Sequence, residues 1–226
     1  MNQRITERHR PKRLRDIIGQ PPIVHLQRLA DEPRPTCVLL EGAPGTGKTT
    51  AAYALANELG CEDEWSGLWM VNAVDLSIDV LRDYFDHKLR LRSLGGRGWN
   101  VFVIEELEAV PSVQVQRAMK TYLEVRLRDM KCIVIATSNG AAGLSDALLE
   151  RFRLYSFQGG PSLARAAQDR LAAIWSEEAD GMPLPAGWLN WGHIDDRFSF
   201  RRALDDMQDA LNSAADVSRL LSGVGR

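Results

Sequence analysis

The residues best equipped for chemistry are Gly42-Ala43-Pro44-Gly45-Thr46-Gly47-Lys48-Thr49, spaced as G-x-x-x-x-G-K-[ST]. Glycines at these positions let successive backbone N–H groups turn toward one anion at close range. Lys48 brings a positive charge to the β- and γ-phosphates of a nucleoside triphosphate, and the Thr49 hydroxyl offers an oxygen to Mg²⁺. Together with Thr50, which opens the helix that follows, this is the expected nucleotide-binding segment. Further on, Val101-Phe102-Val103-Ile104 runs into Glu105-Glu106. A carboxylate at a strand end beside such a loop suits Mg²⁺, which takes oxygen ligands and keeps several waters. Glu105 would hold that hydration shell, and Glu106 would polarise the attacking water. Aspartate is usual at the first position, so the extra methylene of Glu105 predicts looser or shifted placement of the ion. A solvated acidic turn, with Glu108 close behind, is the plain alternative. Asn139 ends another apolar run, Ile133 to Ser138. In a parallel sheet its carboxamide emerges on the edge where nucleotides sit, although Asn-Gly is also an ordinary turn.

Such groups need a scaffold that brings several strand ends to one edge. Thr36–Leu40, Leu68–Asn72, Trp99–Ile104, Lys131–Thr137 and Leu154–Phe157 read as short apolar strands. Helical spacing falls between them, over 21–30, 50–56, 78–91 and 113–127, with Gly60 a C-cap and Gly95-Gly96-Arg97-Gly98 a turn. Strands alternating with helices predict an α/β fold, a parallel sheet covered on both faces. Pro11 and Gly19 predict an extended arm over residues 1–20. Composition changes at Gly159-Gly160-Pro161, after which no strand-like run is expected. Residues 1–158 are thus a nucleotide-binding core, and 159–226 a small helical domain with helices over 164–174 and 200–211. Trp188-Leu189-Asn190-Trp191 is either core of that domain or a docking surface, and aromatic residues of small helical domains usually pack inward.

The chain has 226 residues, 45% hydrophobic and 26% charged, as suits a globular protein with a sizeable core. A net charge of −2 confines any nucleic-acid surface to a local patch, such as the run Arg4, Arg8, Arg10, Lys12, Arg13 and Arg15. Cys37, Cys61 and Cys132 form no C-x-x-C pair, which argues against zinc and disulfides and for a reducing compartment, the cytoplasm. No apolar run is long enough to span a membrane.

Taken together, these motifs resemble an AAA+ ATPase, most like the small subunits of sliding-clamp loaders (replication factor C and its bacterial and phage counterparts), over about residues 7–210. Arg10-Pro11-Lys12 through Ile17-Ile18-Gly19-Gln20 is similar to the N-terminal box that packs around adenine in that family. Asn72-Ala73-Val74-Asp75 with Ile78-Asp79-Val80-Leu81-Arg82 resembles a signature stretch of the replication factor C group. Gln116 through Glu124 is similar to the helix that faces DNA in clamp loaders. The resemblance therefore implies a DNA-responsive switch at Gln116 and a phosphate contact at Lys120, although both read equally well as exposed helix residues. Asn139 falls at the sensor 1 position. Arg151, in Glu150-Arg151-Phe152, stands where clamp loaders carry the arginine finger of a Ser-Arg-Cys motif, acting in trans on a neighbour's site. Arg201, in Phe200-Arg201-Arg202, resembles the sensor 2 arginine of the helical lid; alone it reads as a solvated helix face. The resemblance implies ATP and Mg²⁺ as cofactors, ATP hydrolysis, and primed DNA, a sliding clamp and other AAA+ subunits as partners, without a membrane. Departures are the Glu at 105, the Glu-Arg-Phe motif and the lack of a cysteine-rich zinc module. A third, collar domain is also expected to be absent, so that assembly falls to a partner, or the chain is a shorter relative or a truncated form of a longer protein. Alternatives are a branch-migration or recombination ATPase, or a nucleotide-gated scaffold with little turnover, which would not need Glu106.

Overall fold

The structure, a computed structural model, describes residues 3–91, 93, 97–194 and 197–223. Part of the turn expected at Gly95-Gly96-Arg97-Gly98 lies outside them. In chain order the elements are α1 (Ile5–Arg8), α2 (Ile23–Asp31), β1 (Thr36–Gly42), α3 (Lys48–Glu58), β2 (Leu68–Asn72), α4 (Ile78–Asp86), β3 (Asn100–Glu105) and α5 (Val113–Thr121). They continue with β4 (Cys132–Ser138), α6 (Asp146–Leu149), β5 (Arg153–Phe157), α7 (Pro161–Glu178), β6 (His193–Ile194), β7 (Arg197–Phe198) and α8 (Phe200–Gly223). They fall into two compact units, Pro11–Ala43 with Gly47–Phe157, and Met1–Arg10 with Pro44–Thr46 and Gln158–Arg226.

The first unit is built on a five-stranded sheet in the order β2-β3-β4-β1-β5, with every pair parallel. Alternation along each strand feeds two cores. Val38, Leu40, Val101, Val103, Ile133 and Ile135 meet the alanine-rich α3 and Leu26 and Leu29 of α2. Leu39, Phe102, Ile104, Val134 and Ala136 meet Leu81 and Phe85 of α4 and Val115 and Met119 of α5. Both faces of the central strands are therefore apolar, which is why β3 and β4 read as unbroken hydrophobic runs. The edge strand β5 is largely exposed and opens on a charged residue, Arg153, which discourages pairing with another chain.

α3 is a good helix former, and it ends where the sequence said it would. The Gly60 N–H donates to Asn57 O at 2.9 Å and the Cys61 N–H to Ala56 O at 2.9 Å, a paired C-cap. Burial pushes the Cys37 thiol up to about 12 and the Cys61 thiol up to about 11, so both stay protonated and unreactive at neutral pH.

In the second unit, Leu163, Ala167, Leu171 and Ile174 of α7 and Ala203, Leu204 and Met207 of α8 are buried. Several expectations are corrected. Residues 5–8 form a helical turn rather than an extended arm, because tertiary partners hold it. The Ile5 N–H donates to Gln208 Oε1 at 3.3 Å, and Arg8 and His9 both meet the Glu178 carboxylate, at 2.7 and 2.6 Å. Arg8 and Arg10 of the basic run are thus engaged in ion pairs, Arg10 3.6 Å from Glu7. The strand pair β6–β7 was not expected, each strand being two residues long. Trp191 packs on the buried Trp175 with ring centroids 5.6 Å apart, while Trp188 is half-buried and Leu189 is 53% exposed. The Trp-rich stretch is therefore core at one end only. In the first unit, the helix expected to run to residue 127 stops at Thr121 and passes through a π-helical turn, Tyr122–Arg126. The helix expected over 78–91 likewise ends at Asp86.

Candidate active site

Because the sheet is parallel, β1, β2, β3 and β4 all present their C-terminal ends on one edge, and each ends in a polar or backbone group of interest. β1 ends at Gly42, where a Cβ would overlap the Phe157 carbonyl oxygen at the end of β5. Only glycine lets the loop leave the sheet there. The loop then returns into α3 at Gly47, in a left-handed conformation and without any side-chain cap. The positive end of this eleven-residue helix, which has no side-chain cap, favours an anion at its N-terminus. Lys48 is 8% exposed, and its ammonium folds back to donate to Gly42 O at 2.6 Å, Ala43 O at 2.9 Å and Asn139 Oδ1 at 3.1 Å. Ile17 comes within 3.9 Å of where a Gly47 Cβ would stand. Ile18 and Pro11 are half-buried in the same unit.

β3 ends at Glu105, which pairs in register with Asn72 at the end of β2. Glu106 follows in a left-handed backbone conformation, φ 55° and ψ 52°. For a residue with a side chain that conformation costs on the order of 1–3 kcal/mol, and it persists only where the surroundings impose it. They do so here. The Glu106 N–H donates to Thr137 Oγ1 and Asn72 Nδ2 donates to Glu106 Oε2, each at 3.3 Å. The turn re-aims the Glu106 side chain, which is exposed.

Asn139 follows β4 directly. Its N–H and its Nδ2 both donate to Glu108 Oε1, at 3.0 and 2.9 Å. Burial alone would raise the Glu108 carboxyl, but the hydrogen bonds it accepts from backbone N–H groups and from Asn139 hold it below the usual carboxylate range. Asn72, Thr137 and Glu108 were not assigned to the site from the sequence. A parallel register that sets the end of β2 beside β3, and β3 beside β4, is the signal that would have pointed to them.

Thr49 and Glu105 offer hard oxygen donors, the type Mg²⁺ takes. Among the described residues no group of three or more His, Cys, Asp or Glu is placed to hold a metal ion alone. A Mg²⁺ at this edge would accordingly draw its other ligands from nucleotide phosphate and water, its usual habit in nucleotide sites.

The remaining candidates are more dispersed. Pro44, Gly45 and Thr46, the loop tip, group with the helical unit. There the Phe200 N–H donates to Gly45 O at 3.2 Å, and Gly45, at φ 76°, has no room for a Cβ against the Ser199 hydroxyl. Arg201 lies two residues beyond Ser199, exposed in the first turn of α8. Arg10 belongs to the same unit. Arg151 is half-buried, its guanidinium 3.6 Å from Glu124 in the π-helical turn, with Nε enclosed and without a partner. Gln116 is not an exposed helix residue. It is 4% exposed, with Nε2 donating to Gly143 O at 2.9 Å and Oε1 accepting from the Ser145 N–H at 2.8 Å. Its amide ties α5 to the loop after β4, so it does not present itself to a phosphate backbone. Lys120 is half-buried on α5.

Residues 38–158 match the ATPase family associated with various cellular activities (AAA). The chain belongs to this family. It is also similar to a replication factor C small subunit of Thermofilum pendens, 29% identical over 214 residues, covering 94% of this chain and 64% of that protein. Replication factor C subunit 3 of Saccharomyces cerevisiae is 29% identical over 174 residues, 76% of this chain and 50% of its own length. Among solved structures, a variant of Thermotoga maritima RuvB superposes with a TM-score of 0.70 at 18% identity, covering 93% of this chain and 67% of that one. That likeness is one of fold. Among the described residues no helix of this AAA protein is long and apolar enough to cross a membrane.

Proposed function

We propose that this AAA ATPase is a subunit of a sliding-clamp loader, using ATP binding and hydrolysis to open a clamp and load it on primed DNA. The observation that carries the reading is similarity to replication factor C small subunits along 94% of the chain. It is supported by a site edge where Lys48, Asn139 and the Glu105–Glu106 pair converge. Because the chain spans 64% of that relative's length, the loader's assembly and its clamp are inferred rather than inherited. The cytoplasm is the compartment that suits its three buried, free thiols.

In this reading Lys48 and the first-turn amides of α3 bind the phosphates, with the Ile17–Ile18 box beside the base. Thr49 and Glu105 would hold Mg²⁺, which supplies neutralisation of phosphate charge. Glu106 accepts a proton from the attacking water, and Asn139 orients that water. Arg201, carried on the helix whose first N–H binds the loop tip at Gly45, senses the γ-phosphate. Gln116 passes DNA contact, made in part by Lys120, to the loop that bears Asn139. Arg151 leaves Glu124 to stabilise charge in a neighbouring subunit's site.

The test is ATP turnover by the purified chain alone, with primed DNA, and with partner subunits and a ring-shaped clamp, alongside pull-down on that clamp. Slow turnover alone, acceleration by the full set and capture by the clamp are expected. Strong stimulation by DNA alone, without capture, would overturn clamp loading in favour of a self-sufficient DNA motor. In the assembled complex, Arg151→Ala is expected to leave ATP affinity within about threefold and lower turnover by about 10³-fold or more, the usual effect of a missing arginine finger. Intact turnover would remove Arg151 from that role.

A further inference from the structure

Neither the phosphate-loop pattern nor the strand-end carboxylates give Glu108 a task, yet it makes the tightest side-chain contact to Asn139. Both Asn139 donors, the backbone N–H and Nδ2, converge on Glu108 Oε1 at 3.0 and 2.9 Å, while Lys48 Nζ lies 3.1 Å from Asn139 Oδ1. These partners fix the carboxamide unambiguously. A carboxylate only accepts and an ammonium only donates, so Glu108 must face the nitrogen and Lys48 the oxygen. The second Glu108 oxygen is buried without a hydrogen-bond partner. Burying a carboxylate oxygen in this way is unfavourable, so an ordinary solvated turn is a poor account of the residue.

Arrival of a nucleotide changes only one side of this chain. Phosphate oxygens compete for the Lys48 ammonium and draw it from Asn139 Oδ1. Glu108, an anion set back on the Leu107–Ala109 turn, keeps its two bonds. We propose that Glu108 is a positioning residue that clasps the donor edge of Asn139, so that the carboxamide oxygen, an acceptor, faces the attacking water. A water that donates one hydrogen to Glu106 and the other to Asn139 Oδ1 has a lone pair left for the γ-phosphorus. Without the clasp, the amide is free to turn its NH₂ toward the phosphates and compete with the water for them. This rests on the hydrolysis reading above, and it departs from a view of Asn139 as a phosphate donor.

The experiment is a double-mutant cycle of Glu108→Ala and Asn139→Ala, read by kcat, by affinity for a fluorescent ATP analogue and by the NMR resonance of the Asn139 side-chain amide in nucleotide-free protein. Glu108→Ala is expected to lower kcat by about 10- to 100-fold, the range for a group moved by about an ångström, with affinity within about threefold. It is expected to shift the Asn139 amide resonance, and the double variant should be no slower than Asn139→Ala. A double variant that loses the product of the two single effects, or an unmoved amide resonance, overturns the proposal. If the alanine variant fails to fold, Glu108→Asp, one methylene short of the amide, is expected to show the same split, and wild-type turnover there overturns it. If the wild type binds ATP without turning it over, the hydrolysis reading fails by itself, and the amide resonance of Glu108→Asp still decides whether the clasp exists.

Discussion

Glu106→Gln is expected to lower kcat for ATP by about 10²–10⁴-fold, the contribution of a positioned general base, while ATP affinity stays within a few-fold. The substitution is close to isosteric. Glutamine keeps an oxygen that can accept from Asn72 Nδ2, now at 3.3 Å from Glu106 Oε2, and the backbone bond to Thr137 Oγ1 does not involve the side chain. The left-handed turn at φ 55° should therefore survive, and with it the fold of the strand end. What is lost is the capacity to take a proton from water. Steady-state turnover with binding measured separately by fluorescence distinguishes the two quantities. A variant that keeps more than about a tenth of wild-type turnover would remove Glu106 as the base and return the strand-end acids to the status of a solvated turn. The alternative of a nucleotide-gated scaffold meets its test in the same assay, since a scaffold would show equal, near-zero rates for both proteins.

The sequence carried the sheet well because its strands are buried on both faces. β2 begins and ends at Leu68 and Asn72 as read, and β1, β3 and β4 differ from expectation by only one or two residues at an end. An unbroken apolar run leaves little freedom in where a buried strand can lie. The groups at or just past those strand ends, Glu105, Glu106 and Asn139, were legible for the same reason, being fixed by spacing to the ends of apolar runs, and Lys48, the first residue of α3, by the glycine spacing of the loop before it. Features that depend on contacts distant in sequence were not legible. The turn at Ile5–Arg8 is held by Gln208 and Glu178, some 170 to 200 residues away along the chain. Gln116 looks like one more polar residue on an amphipathic helix, and only the loop at Gly143 and Ser145 gives both ends of its amide a partner and lets it be buried. Glu108 read as an acidic neighbour of Glu106, whereas the register of β3 beside β4 sets it against Asn139. The π-helical turn after α5 carries no composition signal, since Tyr122 to Leu127 continues the helical spacing of the residues before it. Its consequence is local and chemical, because it is this turn that holds Glu124 beside Arg151.

Lys48→Met is expected to weaken ATP binding by at least about 100-fold. Each hydrogen bond from an ammonium to a phosphate oxygen is worth about 1.5–3 kcal/mol, and two of them convert to a hundredfold or more in affinity. Methionine keeps much of the apolar stem that packs where Lys48 is 8% exposed, so a packing defect is held to a minimum. The substitution also removes the bonds to Gly42 O and Ala43 O, which hold the loop closed on itself before a nucleotide enters. Two opposing effects follow. The empty loop loses bonds that favour the nucleotide-free state, which by itself would ease phosphate entry, while the bound state loses its charge. The second dominates, because the carbonyl bonds are neutral-acceptor bonds worth less than those to an ionised phosphate. Calorimetric titration with ATP and with ADP measures the balance. Loss should be greater for ATP than for ADP, since Lys48 addresses the γ- as well as the β-phosphate. An equal loss for the two would place the ammonium on the β-phosphate alone, and unchanged affinity for both would show that the Gly42–Thr49 loop does not bind nucleotide.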